Sequence, residues 1–264
     1  MEQAKKTIVI KVGTSTLTYE NGKVNLRRIE KMVQVLSDLQ NAGHRVVLVS
    51  SGAIGIGVGK LGLKARPTST QEKQAVAAVG QCELMFLYDK FFSEYNHTVA
   101  QVLLTRDVVE NAHSKENVTN TFDTLLDMGI IPVVNENDTV AIDELVGANF
   151  GDNDTLSAIV AILVQGDELV ILTDIDGLYT DNPRTNPTAK LIPVVESVDE
   201  YIESIAGGSG STRGTGGMST KVSAARLANA NGIDVRIVRG DDPEILYRLA
   251  DGEAVGTLFR AQKI

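Results

Sequence analysis

A lysine closing a glycine-rich run is the clearest chemical signal in this chain: Gly210-Ser211-Thr212-Arg213-Gly214-Thr215-Gly216-Gly217-Met218-Ser219-Thr220-Lys221. Glycines let backbone amides turn inward. From Met218 the pattern becomes helical, with Met218, Val222, Ala225 and Leu227 near one stripe. A helix start has N–H groups without intrahelical partners and carries about half a positive charge. A phosphate suits it, and Lys221 can reach a polyphosphate oxygen as a flexible point charge. A Gly/Ser/Thr run can also be a surface linker. Here the rest of the chain favours the anion site.

Matching groups recur where strand-like runs end or helices begin. They are Lys11 with Gly13, Ser51 with Gly52, the segment Asn135-Glu136-Asn137-Asp138, the segment Gly151-Asp152-Asn153-Asp154, and Thr173 with Asp174. An Asp or Asn at a helix start is an ordinary cap. That explains one or two of the residues from 152 to 154 and leaves a further acid over. Two lysines, inward-facing amides and clustered carboxylates suit phosphoryl transfer, in which a protein mainly positions reactants and neutralises charge. Magnesium carried on the nucleotide phosphates completes the charge balance.

These groups need a scaffold that brings them together. Thr7 to Ile10, Arg45 to Val49, Ile130 to Val134 and Leu169 to Leu172 are short apolar runs that read as buried strands. His97 to Leu104 and Ile233 to Val238 read as two more. Helical patterns lie between them: Leu26 to Leu39 behind the N-cap Asn25, Gln71 to Phe92, Asn117 to Met128, Thr155 to Val164, and the helix after Gly217. A short helix near Pro243 to Ala250 and the segment Gly256 to Phe259 follow. Alternating β and α elements predict an α/β fold, a largely parallel sheet between helices on both faces, with ligands at the carboxyl edge. Gly57-Val58-Gly59-Lys60-Leu61-Gly62 formally matches a dinucleotide-binding loop. It does not directly follow a strand and lacks the downstream acid, so a Rossmann site is set aside.

Composition narrows the classes. The chain has 264 residues, a formal net charge of −9 and 43% hydrophobic residues. Its acidity argues against a nucleic-acid partner. No apolar run approaches the ~18 residues of a membrane span, and Met1 to Lys6 lacks a secretory pattern, so a cytoplasmic location is expected. Cys82 is the only cysteine. That excludes an internal disulfide and leaves a small core residue as its expected role. His44, His97 and His113 lack ligand spacing, so no protein metal site is expected.

The segments Ile10 to Ser15, Val49 to Ile54, Pro132 to Asp138, Gly151 to Asp154, Leu172 to Asp174 with Gly177-Leu178-Tyr179, and Gly214 to Lys221 resemble, in the same order, the amino acid kinase family and within it the glutamate 5-kinase branch. The likeness extends to Val255-Gly256-Thr257-Leu258-Phe259. It implies a three-layer αβα sandwich forming one domain over residues 1–264, the N-terminal part mainly the glutamate site and the C-terminal part mainly the ATP site. It also implies ATP-dependent phosphorylation of the side-chain carboxylate of L-glutamate, the first step of proline synthesis. By motif, Lys11 touches the transferring phosphoryl group, Lys221 the departing phosphates, and Asp154 holds both lysines. Ser51, Gly52, Asn135, Asp138 and Asn153 fall at glutamate positions. Lys11, Thr173, Asp174, Thr215, Gly216, Gly217, Met218, Ser219, Thr220 and Lys221 fall at ATP positions. Many members carry an additional C-terminal RNA-binding-like (PUA) domain, which is not expected here. A homo-oligomer is expected, and proline, which inhibits many members, becomes a candidate feedback inhibitor.

The chemistry agrees with that implication. A carboxylate acceptor with a pKa of about 4.3 is already ionised at neutral pH, so no general base is required. Asp138 suits a substrate ammonium group. A related kinase acting on acetylglutamate, aspartate, carbamate or a nucleotide would share the lysines but give Asp138 less to do. A non-catalytic nucleotide or amino-acid sensor is the alternative from another class.

Overall fold

The computed structural model describes residues 5–19, 22–140, 152–207 and 217–262. Its elements run β1 (Thr7–Val12), α1 (Thr14–Leu17), α2 (Leu26–Asn41), β2 (Arg45–Ser50), α3 (Ala53–Leu61) and α4 (Thr70–Ser93). Then come β3 (Val99–Leu104), α5 (Arg106–Glu110), α6 (Ala112–Asp127), β4 (Ile131–Glu136), α7 (Asn153–Leu163) and β5 (Glu168–Thr173). The chain finishes with β6 (Val194–Val195), α8 (Glu200–Ala206), α9 (Met218–Asn229), β7 (Asp234–Arg239), α10 (Ile245–Ala250) and β8 (Thr257–Phe259). Among the described residues the strands form one sheet of eight in the order β3-β4-β2-β1-β5-β7-β8-β6. All neighbouring pairs are parallel except β7 with β8. No described helix is long and apolar enough to cross a membrane.

Strand parity builds the layers. Successive side chains on a strand point to opposite faces. Val9, Val47, Val49, Leu169 and Ile171 therefore join one core with α7 and α9. Ile8, Ile10, Val46, Leu48, Val170 and Leu172 join a second core with α2 and α4. A strand buried on both faces reads as a continuous β-branched run, which is why these segments were legible. Lys11 shares the parity of Val9 and belongs to the α7/α9 face. Ser50 shares the parity of Leu48, and Asn135 that of Val133, so both point to the α4 side.

The 57–62 glycines, whose match to a dinucleotide-binding loop was set aside, lie in and just after α3. A Cβ at Gly57 would stand 2.1 Å from the Val76 carbonyl oxygen, and one at Gly80 would stand 1.8 Å from that of Ala53. These glycines let α3 and α4 meet backbone to backbone. Cys82 is exposed on α4, not a core residue. Leu227 is 37% exposed, so the buried stripe of α9 runs through Val222, Ala224, Ala225 and Ala228 instead.

Candidate active site

The strand ends β1, β2, β4 and β5 converge at one sheet edge, with α7 lying across all four strands. Asp152 caps α7 by accepting from the Thr155 amide at 2.8 Å. In the first turn of that helix, Asp154 is 1% exposed and faces the sheet. Lys11 Nζ lies 2.6 Å from Asp154 Oδ1, and Lys221 Nζ lies 3.0 Å from Oδ2. Thr220 Oγ1 also donates to Oδ2, at 2.8 Å. The Lys11 contact is an ion pair rather than a well-directed hydrogen bond, since Oδ1 lacks an aligned donor. Lys11 and Lys221 are themselves 7% and 6% exposed.

Burial alone would push the Asp154 carboxyl up, but Lys11 and Lys221 outweigh it and hold the pKa at about 2. Burial pulls the Lys11 ammonium down, Asp154 opposes that, and Lys221 adds to it. The carboxylate thus keeps two mutually repelling cations side by side in a dry place. Such a trio is built to receive another anion.

Backbone donors gather at the same edge. Helices α1, α3 and α9 open on Gly13, Gly52 and Gly217, and no side chain caps any of them. By contrast α2, α4, α6, α7 and α8 are each capped by an Asn, Ser or Asp side chain. Uncapped amides are left for a ligand. Gly52 sits at φ +105°, where a side chain would be strained, and a Cβ on Gly13 would stand 3.9 Å from Lys11 Nζ. The Ser51 amide donates to Val12 O at 3.0 Å, tying the β2 turn to the end of β1.

A cavity and a cluster of polar side chains flank the trio. On one side a cavity of about 310 Å³ extends from Thr173 and Asp174 past Tyr179 and Pro183 to Met218 and Lys221. Asp174 accepts from Arg184 Nη2 at 2.8 Å and from Thr173 Oγ1 at 3.2 Å. The Asp174 carboxyl is held below its usual range: burial raises it, and the Arg184 hydrogen bond leads the interactions that overcome this. On the other side Asn153 Nδ2 donates to Ser51 Oγ at 2.8 Å and to Asn135 Oδ1 at 3.1 Å. Asp138 is half-buried at the end of the β4 turn, and burial raises its pKa.

The fold thus brings together Lys11, Ser51, Gly52, Asn135, Asn153, Asp154, Thr173, Asp174, Gly217, Met218, Thr220 and Lys221 along one edge. Ser219 occupies the first turn of α9. Thr215, Gly216 and Gly151 lie outside the described residues. Sequence reasoning missed Gln81, whose Oε1 accepts from Asn135 Nδ2 at 2.9 Å, and Tyr88, whose hydroxyl meets Ser50 Oγ at 2.8 Å. The available signal was a polar residue on the buried stripe Ala77, Gly80, Gln81, Leu84 and Tyr88 of α4.

Residues 6–239 match the amino acid kinase family. The chain belongs to that family. As an amino acid kinase family chain it is 62% identical over 259 residues to glutamate 5-kinase of Clostridium perfringens, covering 98% of this chain and 96% of that protein. It is 56% identical to glutamate 5-kinase of Listeria monocytogenes, covering 98% and 94%. Among solved structures, the family's fold is shared with UMP kinase from Bacillus anthracis, at TM-score 0.67 and 18% identity over 99% of this chain and 98% of that one. Carbamate kinase from Giardia lamblia bound to AMP-PNP matches at TM-score 0.69 and 16% identity, over 99% and 100%.

Proposed function

We propose that this chain is a glutamate 5-kinase, transferring the γ-phosphoryl group of ATP to the side-chain carboxylate of L-glutamate in the first step of proline synthesis. The observation that carries the reading is Asp154 holding Lys11 at 2.6 Å and Lys221 at 3.0 Å between a cavity and a cluster of polar side chains. The cavity beside Lys221 takes ATP, with Thr173, Asp174 and the turn through Gly217 to Thr220 along its wall. Its volume of about 310 Å³ and the uncapped α9 start suit a nucleotide with its phosphates at the helix. Mg2+ bound to the nucleotide would neutralise part of the phosphate charge, leaving Lys11 and Lys221 to offset the rest.

Ser51, Gly52, Asn135, Asp138 and Asn153 form the glutamate side. Ser51 and the α3 start take carboxylate, and Asp138 takes the ammonium group. Lys11 meets the transferring phosphoryl group and Lys221 the departing phosphates. Asp154 keeps both cations aimed without touching the reacting atoms. The acceptor is already ionised, so the protein moves no proton. We read residues 1–264 as one cytoplasmic kinase domain. An α4 face exposing Ala75, Ala78, Cys82 and Phe86 supports a homo-oligomer. Proline shares the α-carboxylate and the cationic nitrogen of glutamate and is proposed to compete for its site.

The test is to incubate the chain with Mg-ATP and a panel of acceptors, trapping acyl phosphate with hydroxylamine. Hydroxamate is expected with glutamate and not with acetylglutamate. Nucleotide binding without hydroxamate from any acceptor would overturn the reading in favour of a sensor. Millimolar proline leaving turnover unchanged at subsaturating glutamate would remove the feedback proposal.

A further inference from the structure

One backbone amide sets the direction of the hydrogen bonds that run from Asn135 through Asn153 to Ser51. The Glu136 N–H can only donate, and it lies 2.9 Å from Asn135 Oδ1. That fixes which end of the Asn135 amide is oxygen, a choice otherwise open for Asn side chains. The Asn153 atom 3.1 Å from the same oxygen must then be its NH2. Its second proton goes to Ser51 Oγ at 2.8 Å. Ser51 therefore accepts from within the protein and keeps its own O–H for an outside acceptor. At the other end Asn135 Nδ2 must donate, and it finds Gln81 Oε1 at 2.9 Å.

Gln81 is 8% exposed, and its Nε2 is buried with no partner among the described residues. A glutamine that leaves a buried donor unmatched is poor design for stability alone. What it supplies is the acceptor for Asn135. We infer that Gln81 is a positioning residue which, by accepting from Asn135 Nδ2 and so locking the amide in the orientation that the Glu136 N–H selects, makes Ser51 present its hydroxyl proton to the carboxylate of the phosphoryl acceptor. The inference rests on the proposed kinase reading. Gln81 acts through Asn135 and Asn153, which link it to Ser51. The α3–α4 contact at Gly57 and Gly80 fixes the helix carrying it.

The test compares the wild-type chain with Gln81→Met, Gln81→Glu, Asn135→Leu and the Gln81→Met/Asn135→Leu double variant. It measures hydroxamate kinetics against glutamate and Mg-ATP, with thermal melts of each protein. Gln81→Met removes the acceptor oxygen and is expected to raise the glutamate KM about tenfold, while the ATP KM stays within twofold. Gln81→Glu keeps an acceptor oxygen towards Asn135 and is expected to stay within threefold of wild type for glutamate. The double variant is expected to be no worse than Asn135→Leu. A glutamate KM for Gln81→Met within twofold of wild type overturns the inference. So does a parallel rise in both KM values, or an effect that multiplies in full with that of Asn135→Leu. Should Gln81→Met not fold, Gln81→Ala decides: a rise in the glutamate KM with the ATP KM held within twofold supports the role, and unchanged or parallel KM values refute it. A wild-type chain giving no hydroxamate with any acceptor defeats the kinase reading itself. An active wild type indifferent to residue 81 defeats only this inference.

Discussion

Replacing Asp154 with Asn tests the charge logic of the site most directly. The variant keeps the side-chain volume and removes the charge that pairs with Lys11 and Lys221. Their nitrogens can be no farther apart than the two contacts plus the carboxylate width, roughly 8 Å, so at an effective dielectric of ~20 they repel by about 2 kcal/mol. The depression of the Asp154 carboxyl from 3.8 to about 2 corresponds to about 2 kcal/mol of native-state stabilisation. Breaking a buried pair by removing one member costs more, about 3–5 kcal/mol, because the remaining charges stay buried. The larger figure governs here, since two lysines are stranded. It predicts a melting temperature roughly 10 °C lower for a chain of this size. The sign with pH follows: Asp154 stabilises above its unfolded pKa of 3.8, and that contribution is lost as pH falls through about 2. The gap between variant and wild type should therefore narrow in strong acid. Mg-ATP should also narrow it, because the triphosphate returns an anion to the two lysines. Turnover should fall at least ~100-fold, as when one electrostatic stabiliser is removed. Melts with and without Mg-AMP-PNP, alongside hydroxamate rates, make the measurement. A variant melting within 2 °C of wild type and turning over within fivefold, both approximate limits for losing a paired buried charge, would refute the account of a strained cation pair.

Other outcomes follow from neighbouring features. Lys221→Ala leaves Lys11 and Asp154 as a neutral pair, so turnover should drop at least ~100-fold with the melting temperature little changed; a near-wild-type rate removes Lys221 from the mechanism. Gly80→Ala drives a Cβ against the Ala53 carbonyl oxygen, so α3 and α4 must part. Chemical denaturation should report a loss of about 3 kcal/mol or more, and an unchanged unfolding midpoint would contradict the contact. Burial raises the pKa of Asp138, so lowering pH should protonate it well before Asp154 and raise the glutamate KM before the ATP KM. Asp138→Asn should bind glutamate weakly at every pH, and an Asn variant that keeps the wild-type pH profile would show that another group is titrating.

Much of this was legible because buried parallel strands announce themselves. Continuous apolar runs such as Val46 to Val49 have one reading in length and composition, and the polar residues just beyond them had to share an edge. The Lys11, Asp154 and Lys221 trio was reachable from the same logic. Helix α3 was not, because Gly55, Gly57 and Gly59 each lower helix propensity by about 1 kcal/mol relative to alanine. Only its contact with α4, a tertiary fact, repays that. Helix α8 and the two-residue strand β6 are too short to carry periodicity. Gln81 stayed hidden because a buried glutamine in an apolar stripe becomes meaningful only when its partner, 54 residues away, is known.

The bare openings of α1, α3 and α9 have a practical corollary. Donors that no described side chain satisfies do not discriminate strongly among small tetrahedral or planar oxyanions. Inorganic phosphate, sulfate or a dicarboxylic buffer will occupy the same amides and compete with both substrates. Apparent Michaelis constants are expected to shift with the buffer salt chosen.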